Sequence, residues 1–104
     1  MFNKRKIFIR DFFTCQTCHA PNSYLHIAHK IKQGKGSEQF IKGWLATKGY
    51  DWSEKKIRDD IINHPYNVCT VCSPSCNDAQ NIFFNTVAME NLLTDIIDDI
   101  INPF

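Results

Sequence analysis

Two groups of closely spaced cysteines constrain the fold of this 104-residue chain more than any other feature. Cys15 and Cys18 form the first group, and Cys69, Cys72 and Cys76 form the second. Two intervening residues let one tight turn direct both sulfurs at a single ion, and Zn²⁺ takes four such ligands in a tetrahedron. The sequence therefore predicts a structural Zn²⁺ site. Two ligand sets are open: Cys15, Cys18, Cys72 and Cys76, or Cys15, Cys18, Cys69 and Cys72.

The size of the chain makes such a site useful. One domain spanning residues 1–104 is expected, and a lone core of this size is marginal without a metal. Five cysteines are an odd number, which fits four ligands and one spare thiol better than a disulfide framework. The sequence shows no secretory signal and no apolar run of about 18 residues, so we expect a cytoplasmic protein that does not enter the membrane.

The distribution of charge is more informative than its sum. The net charge of +1 is too small to indicate a nucleic-acid partner by itself. Basic residues crowd the N-terminus and follow the histidines, whereas acidic residues gather near the end of the chain. This asymmetry is consistent with a face that meets phosphate, and ordinary solvated charge is the alternative.

Residue patterns predict an α+β fold. The apolar stripe of the last helix indicates either core or a dimer contact. The expected strands span 24–31 and 67–71, with a turn in 20–23 before the first and a glycine loop over 32–36 after it. A helix or strand is expected in 3–13, and helices are expected over 38–47, capped by Ser37, and over 54–63, capped by Ser53. Helical structure is expected from Asn77, with a possible break at Asn85–Thr86 and an end at Asn102–Pro103.

Histidine and asparagine side chains suggest a second site. His29 ends the first predicted strand, and Asn77 and Asn81 are four residues apart near the start of a predicted helix, so they share a face. Amide oxygens and waters suit a hard ion such as Mg²⁺, and a neutral imidazole can deprotonate water. The alternative is a structural histidine and asparagines that cap helices.

Taken together, these motifs resemble the HNH endonucleases, the ββα-metal nuclease family. The resemblance covers about residues 13–84. The matching segments are Cys15-Gln16-Thr17-Cys18, His26-Ile27-Ala28-His29, Gly34-Lys35-Gly36, Asn67-Val68-Cys69-Thr70-Val71-Cys72 and Cys76-Asn77-Asp78. The family implies a hairpin and a helix around one catalytic divalent ion. Here the core would be zinc-stapled, with an inserted helical pair and a long C-terminal helix.

The resemblance also implies roles for individual residues. His29 would be the general base, and Asn67 would join the strand–helix loop and orient the base. Many members carry a metal ligand at the position of Ala28, where His26 on the same strand face would substitute. The implied assignments are zinc at Cys15, Cys18, Cys72 and Cys76; Mg²⁺ or Mn²⁺ at Asn77 with Asn81 or His26; and DNA phosphates at Arg10, Lys30, Lys32 and Lys35.

The resemblance predicts a metal-dependent endonuclease that hydrolyses DNA phosphodiester bonds. The alternative is a non-catalytic zinc module that binds nucleic acid or protein. A homodimer through the C-terminal helix is also consistent with the sequence.

Overall fold

The computed structural model describes residues 2–20 and 24–102, and these form one two-stranded antiparallel sheet and several helices. The mixed α+β class is confirmed. The predicted turn at 20–23 and the Pro103 stop lie wholly or partly outside the described residues. The elements in chain order are α1 (Lys4–Arg10), β1 (His26–His29), α2 (Lys35–Thr47), α3 (Glu54–Ile57) with a π-helical continuation (Arg58–Ile62), a 3₁₀ turn (Pro65–Asn67), β2 (Val68–Val71), α4 (Pro74–Ala79) and α5 (Thr86–Ile101).

The two strands divide the hairpin into two chemically different faces. Ala28 pairs with Cys69, and these residues pack with Cys15 and Val71 on one face. His29 pairs with Val68, and alternation along a strand places this pair on the opposite face. The hairpin therefore presents the cysteines on one side and His29 on the other.

A separate helical core holds most of the buried aliphatic side chains. Helices α2, α3 and α5 contribute to it, together with Ile31 just after β1. Its buried members are Ile31, Ile41, Leu45, Ile57, Ile61, Ile62, Met89, Leu93, Ile96 and Ile97. The expected helical pair between the strands is thus present, and its apolar faces pack against the C-terminal helix.

The apolar stripe of α5 is used within the chain. Met89, Leu93 and Ile96 are fully buried in the helical core, while Val87 and Ile101 at the two ends of the helix stay exposed. The predicted dimer contact is not tested by this arrangement. No helix within residues 2–20 and 24–102 has the length and apolar character needed to cross a membrane.

The start of α2 differs from the prediction. Ser37 does not cap the helix, because α2 already begins at Lys35. Gly34 precedes it with φ of +131°, a backbone conformation that glycine adopts readily. Ser37 is instead buried inside the first turn, and its Oγ atom has no hydrogen-bond partner among the described residues.

The helical structure expected from Asn77 is also interrupted more widely than predicted. Helix α4 begins at Pro74 and ends at Ala79, and α5 begins only at Thr86. Between them, the Ile82 N–H donates to the Lys30 carbonyl, which draws the chain beside the end of β1. Asn85 then caps α5, with its Oδ1 accepting from the Ala88 N–H.

Candidate functional site

Four cysteine sulfurs converge on the hairpin. The Sγ atoms of Cys15, Cys18, Cys72 and Cys76 all lie within 4.8 Å of one another. The Cys18–Cys72 separation is 3.6 Å and the Cys72–Cys76 separation is 3.8 Å. Four ligands at a Zn–S distance of about 2.3 Å form a tetrahedron with edges of about 3.8 Å. The thiols therefore fit a metal such as zinc.

Short backbone contacts build the first cysteine turn. The His19 N–H donates to the Cys15 carbonyl over 2.8 Å, and the Cys18 N–H points at the Cys15 sulfur over 3.5 Å. The turn is anchored to β2 by a 2.9 Å hydrogen bond from the Gln16 N–H to the Thr70 carbonyl. These bonds hold two sulfurs on one side of the turn.

The second turn is set by a helix start and linked to the first. Ser73 caps α4 through its Oγ, which accepts from the Cys76 N–H. The Thr17 hydroxyl donates to the Cys76 carbonyl over 2.8 Å, and the Gln80 side-chain amide donates to Thr17 Oγ1 over 2.9 Å. Thr17 therefore joins the two cysteine turns directly, beside the sulfur cluster.

The thiol pKa values show why this cluster suits a cation. Burial tends to raise the pKa of Cys15, but the N–H groups of Cys18 and Thr17 lower it to about 6. Hydrogen bonding with Cys18 and Cys15 raises the pKa of Cys72 to about 12. Deprotonation of Cys15 is thus favoured, whereas deprotonation of the neighbouring Cys72 is disfavoured. A bound divalent cation would favour deprotonation of both, because it binds the thiolate form of cysteine.

Cys69 lies outside the sulfur cluster. It is buried within β2 opposite Ala28, and burial raises the pKa of its thiol. Of the two ligand sets open from spacing, the structure assembles the one that includes Cys76. Cys69 is therefore the spare thiol, and it packs as a small apolar side chain.

His29 occupies a half-buried position at the end of β1. Its Nε2 lies 3.0 Å from the Asn63 Oδ1, and the Phe2 ring approaches its edge at 5.8 Å between centroids. Because an amide oxygen only accepts, this pairing places the proton on Nε2 and leaves the Nδ1 lone pair available in the neutral ring. The adjoining cavity of about 540 Å³ is also lined by Lys4, Phe8 and Gln33.

Asn67 joins the segment after His29 to the helical insertion. Its Oδ1 accepts from the Ile31 N–H over 2.8 Å, and its Nδ2 donates to the carbonyls of Ile31 and Ile62 over 3.0 and 2.8 Å. The Lys30 N–H also donates to the Asn67 carbonyl. Asn67 is fully buried and makes no direct hydrogen bond to His29 in the described structure, so any effect on that ring acts through the backbone.

The residues expected to hold a catalytic divalent ion lie on three segments: His26 on β1, Asn77 on α4 and Asn81 just after α4. His26 and Lys30 are separated by about 13 Å of extended chain, and Asn81 lies beside Lys30 because Ile82 bonds to it. Asn81 Oδ1 accepts from the Phe83 N–H, and Asn77 is exposed on α4. Among the described residues, only the four cysteines bring together three or more His, Cys, Asp or Glu ligand atoms. A divalent site at Asn77 with Asn81 or His26 therefore stays a prediction.

The basic residues expected at DNA divide into two kinds. Arg10 is committed internally, since its guanidinium donates to Asp11 and to the carbonyls of Pro65 and Val68. Lys32 and Lys35 are exposed, and the Lys32 Nζ lies 4.6 Å from the centroid of the Phe83 ring. Lys30 is half-buried and lines a small polar cavity with Asp11.

Sequence reasoning missed two residues that position this region. Asn63 was expected only as the last residue of a helix, but its amide faces His29. Asp11 is buried and accepts from the Thr70 N–H as well as from Arg10, which attaches the end of α1 to β2. The Arg10-Asp11 pair just before the first cysteine turn was the available signal for the Asp11 contact. No local sequence feature indicated the contact between Asn63 and His29.

Comparisons with known proteins found no relative of this chain. No protein-family model matches the sequence, no curated protein matches it, and no solved structure matches it.

Proposed function

We propose that this protein is an HNH-type endonuclease that hydrolyses DNA phosphodiester bonds, with a zinc-stapled ββα core and His29 as the general base. The order of elements supports this proposal: a cysteine turn, a strand ending in histidine, a buried asparagine before the second strand, a second cysteine turn and a helix. The observation that carries it is the 3.0 Å contact between His29 Nε2 and the Asn63 amide oxygen.

This contact gives the imidazole a defined chemical role. With Nε2 donating to Asn63, Nδ1 is the nitrogen that accepts a proton from an attacking water. The imidazolium that results keeps its Nε2–H bonded to the same oxygen, which stabilises the charge. General-base catalysis of this kind contributes a rate factor of about 10²–10⁴.

The two implied metals would have different roles in this proposal, one structural and one catalytic. Zn²⁺ on four thiolates has no open coordination position, so it would stabilise the hairpin and take no part in hydrolysis. Mg²⁺ or Mn²⁺, held by Asn77 with Asn81 or His26, would stabilise charge on the phosphate. Nicking that requires Mg²⁺ or Mn²⁺ would support this second site.

Exposed lysines supply the affinity for the DNA backbone in this proposal. Lys32 and Lys35 follow the strand that ends at His29, and neither forms an ion pair with a described residue. Phosphate contacts of this type position a duplex without reading its sequence. Arg10 would act indirectly, because its hydrogen bonds hold α1 against β2.

The proposal is tested by plasmid nicking with the zinc-loaded protein, assayed with Mg²⁺, with Mn²⁺ and without added divalent ion. His29→Ala should reduce the nicking rate by about 10²-fold or more, because the general base is removed. Asn63→Ala should reduce the rate less, since the imidazole remains but loses its orientation. Zinc content and circular dichroism check that both variants are folded.

His19→Asn is the matched histidine control. His19 is exposed, lies outside the His29 cavity and has φ of +62°, a conformation that asparagine tolerates. Its nicking rate should equal that of the unaltered protein. Nicking that survives His29→Ala would refute the base assignment.

A second candidate function is favoured by Ala28. This residue is fully buried against the cysteines and has no ligand atom at the position where many HNH enzymes carry one. A zinc module that binds DNA without cleaving it would account for this feature. Retention of DNA at low salt by folded, zinc-loaded protein without nicking in any metal would favour it.

A further inference from the structure

Two consecutive phenylalanines after α1 adopt a backbone conformation that bulky residues avoid. Phe12 has φ of +58° and Phe13 has φ of +52°. In this left-handed region the Cβ atom crowds the backbone, so glycine and asparagine are the usual occupants. Strained positions of this kind persist where the surrounding structure enforces them, and they cluster at functional sites.

The strain arises at a well-defined helix end. The Phe12 N–H donates to the Ile9 carbonyl and the Phe13 N–H donates to the Phe8 carbonyl, which is the hydrogen-bond pattern of a Schellman C-cap. Glycine is the usual residue at the position of Phe12 in that motif. A phenylalanine is therefore present where local conformation favours the smallest residue.

Both rings are presented to solvent. The Phe12 side chain is 85% exposed and that of Phe13 is 49% exposed, and neither belongs to the two buried cores. Folding therefore does not explain a large apolar residue here. We call Phe12 and Phe13 the phenylalanine tip.

The phenylalanine tip is held on a rigid base. Asp11, directly before it, is buried and bonded to the Thr70 N–H of β2. After it, the Thr14 hydroxyl donates to the Phe12 carbonyl, and the Gln16 amide donates to the Thr14 carbonyl over 3.0 Å. Cys15 of the sulfur cluster follows immediately. The backbone that carries the two rings is consequently anchored on both sides.

Charge around the tip identifies the kind of partner. Lys4, Arg5 and Lys6 on α1 are exposed and form no ion pair with a described residue. Asp11 is the only acidic residue in the first 37 positions, and its charge is paired with Arg10. An exposed aromatic pair at one end of α1 and unpaired cations at the other end are together complementary to nucleic acid, which offers phosphates to the cations and base faces to the rings.

We infer that the phenylalanine tip is a wedge that inserts between base pairs of duplex DNA and unstacks one step. The choice of DNA rests in part on the proposed nuclease function. Helix α1 is about 10 Å long, and Phe2 at its start contacts the His29 ring. Phe8, further along α1, also lines the His29 cavity, so the tip would act within about three base pairs of His29, given a rise of about 3.4 Å per step.

The inference is tested by DNA binding in a His29→Ala background, so that cleavage plays no part. Fluorescence anisotropy would compare an intact duplex with the same duplex carrying one mismatch, which is easier to unstack. A protein with a wedge should bind the mismatched duplex about tenfold more tightly, a factor typical of stacking one base on an aromatic ring. Phe12→Gly should remove this preference while leaving binding to the intact duplex nearly unchanged.

The glycine variant separates a functional effect from misfolding. Because glycine is favoured at this cap, Phe12→Gly should have an equal or higher melting temperature. Phe12→Asn, which also tolerates positive φ, is the second variant and should behave in the same way. Val87→Ala is the control for loss of an exposed apolar side chain, since Val87 is 69% exposed at the start of α5, and it should keep the mismatch preference.

Three outcomes would overturn the inference. Equal binding of the two duplexes by the parent protein would exclude a wedge, and so would a mismatch preference that survives both Phe12 variants. Binding to phosphatidylserine vesicles that Phe12→Gly abolishes, with DNA binding unaltered, would assign the tip to a membrane surface. None of these results depends on whether the unaltered protein nicks plasmids, so the two proposals fail separately.

Discussion

The cysteine hairpin and the helical core are stabilised by different physical means. The buried cluster around the sulfurs is small: Cys15, Ala28, Cys69 and Val71, with Cys72 and Cys76 packed against them. Val68 and Thr70 of β2 are also buried. The helical core contains ten buried apolar residues from α2, α3 with its π-helical continuation, α5 and the segment after β1. Burying an aliphatic side chain contributes about 1.5–3 kcal/mol, so the helical core can support itself far better than the hairpin can.

This difference separates stability from the candidate chemistry. His29 and the four thiols belong to the weakly cored hairpin, whereas the helical core contains no predicted catalytic side chain. Asn67 and Asn63 connect the two regions, because both lie between the helical insertion and the hairpin. The hairpin is therefore attached through the four thiols on one side and through two asparagines on the other.

Removing the metal should produce the largest effect. Chelation, or Cys72→Ser, should expose the backbone amides of β1 and β2 to rapid hydrogen exchange while α2 and α5 stay protected. Structural Zn²⁺ contributes about 10–16 kcal/mol of apparent binding free energy in small zinc-dependent folds, and the hairpin has little apolar surface to replace it. Exchange measured by mass spectrometry would reveal the difference.

Cys69→Ser is the matched control for that experiment. This thiol is outside the sulfur cluster, so the variant should keep its full zinc content. Slow exchange of β1 and β2 after complete zinc removal would contradict the comparison and show that the hairpin is stable alone.

Removing the hydrogen bonds of Asn67, which connect the hairpin to the helical core, should have the next largest effect. Asn67→Ala leaves the Ile31 N–H and the carbonyls of Ile31 and Ile62 without their side-chain partner. Each unsatisfied buried group costs about 1–3 kcal/mol, so the free energy of unfolding should fall by about 3 kcal/mol or more. Urea denaturation of the zinc-loaded protein measures this loss.

Asn63→Ala is the comparison variant, because Asn63 also connects the hairpin to the helical insertion. Among the described residues, the half-buried Asn63 side chain is hydrogen-bonded only to the His29 ring. Its removal should therefore lower the free energy of unfolding by less than about 1 kcal/mol. Equal losses for the two asparagines would mean that Asn67 does not carry the connection.

Loosening α1 should have the smallest effect. Asp11→Asn weakens the charged contact with Arg10 and disturbs the bond from the Thr70 N–H, so unfolding should become easier by about 1.5 kcal/mol. Burial tends to raise the pKa of Asp11, but the hydrogen bonds from Arg10 and Thr70 outweigh it and lower the pKa below the usual value of 3.8.

The direction of this shift predicts the pH dependence. A carboxylate whose folded pKa is lowered stabilises fully above its unfolded pKa of about 3.9 and loses this contribution as pH falls through the folded value. The stability difference between the unaltered protein and Asp11→Asn should therefore be constant from about pH 7 to 5. A difference that already shrinks within this range, measured by urea denaturation at fixed zinc, would refute the assignment.

Local sequence chemistry accounts for much of the architecture. Cysteine spacing indicated the metal turns, Ser53 caps α3 as expected, and apolar periodicity located α2 and α5. These features depend on residues a few positions apart, whose geometry is set by backbone preferences. The predicted start of α2 at residue 38 was wrong, because the helix begins at Lys35, directly after Gly34 with its positive φ. Glycine permits positive φ but does not require it, so the sequence did not indicate this start.

Tertiary structure decided how these parts meet. Spacing alone left Cys69 and Cys76 as alternatives, and the pairing of Cys69 with Ala28 inside the sheet removed Cys69 from the sulfur cluster. Helical structure after Ala79 was broken because Ile82 bonds to Lys30, a contact between segments far apart in the chain. The sequence by itself determined the cysteine turns and the apolar helix faces. Only folding decided which asparagine faces His29 and which ones stay in solvent, because those distances depend on packing of the whole chain.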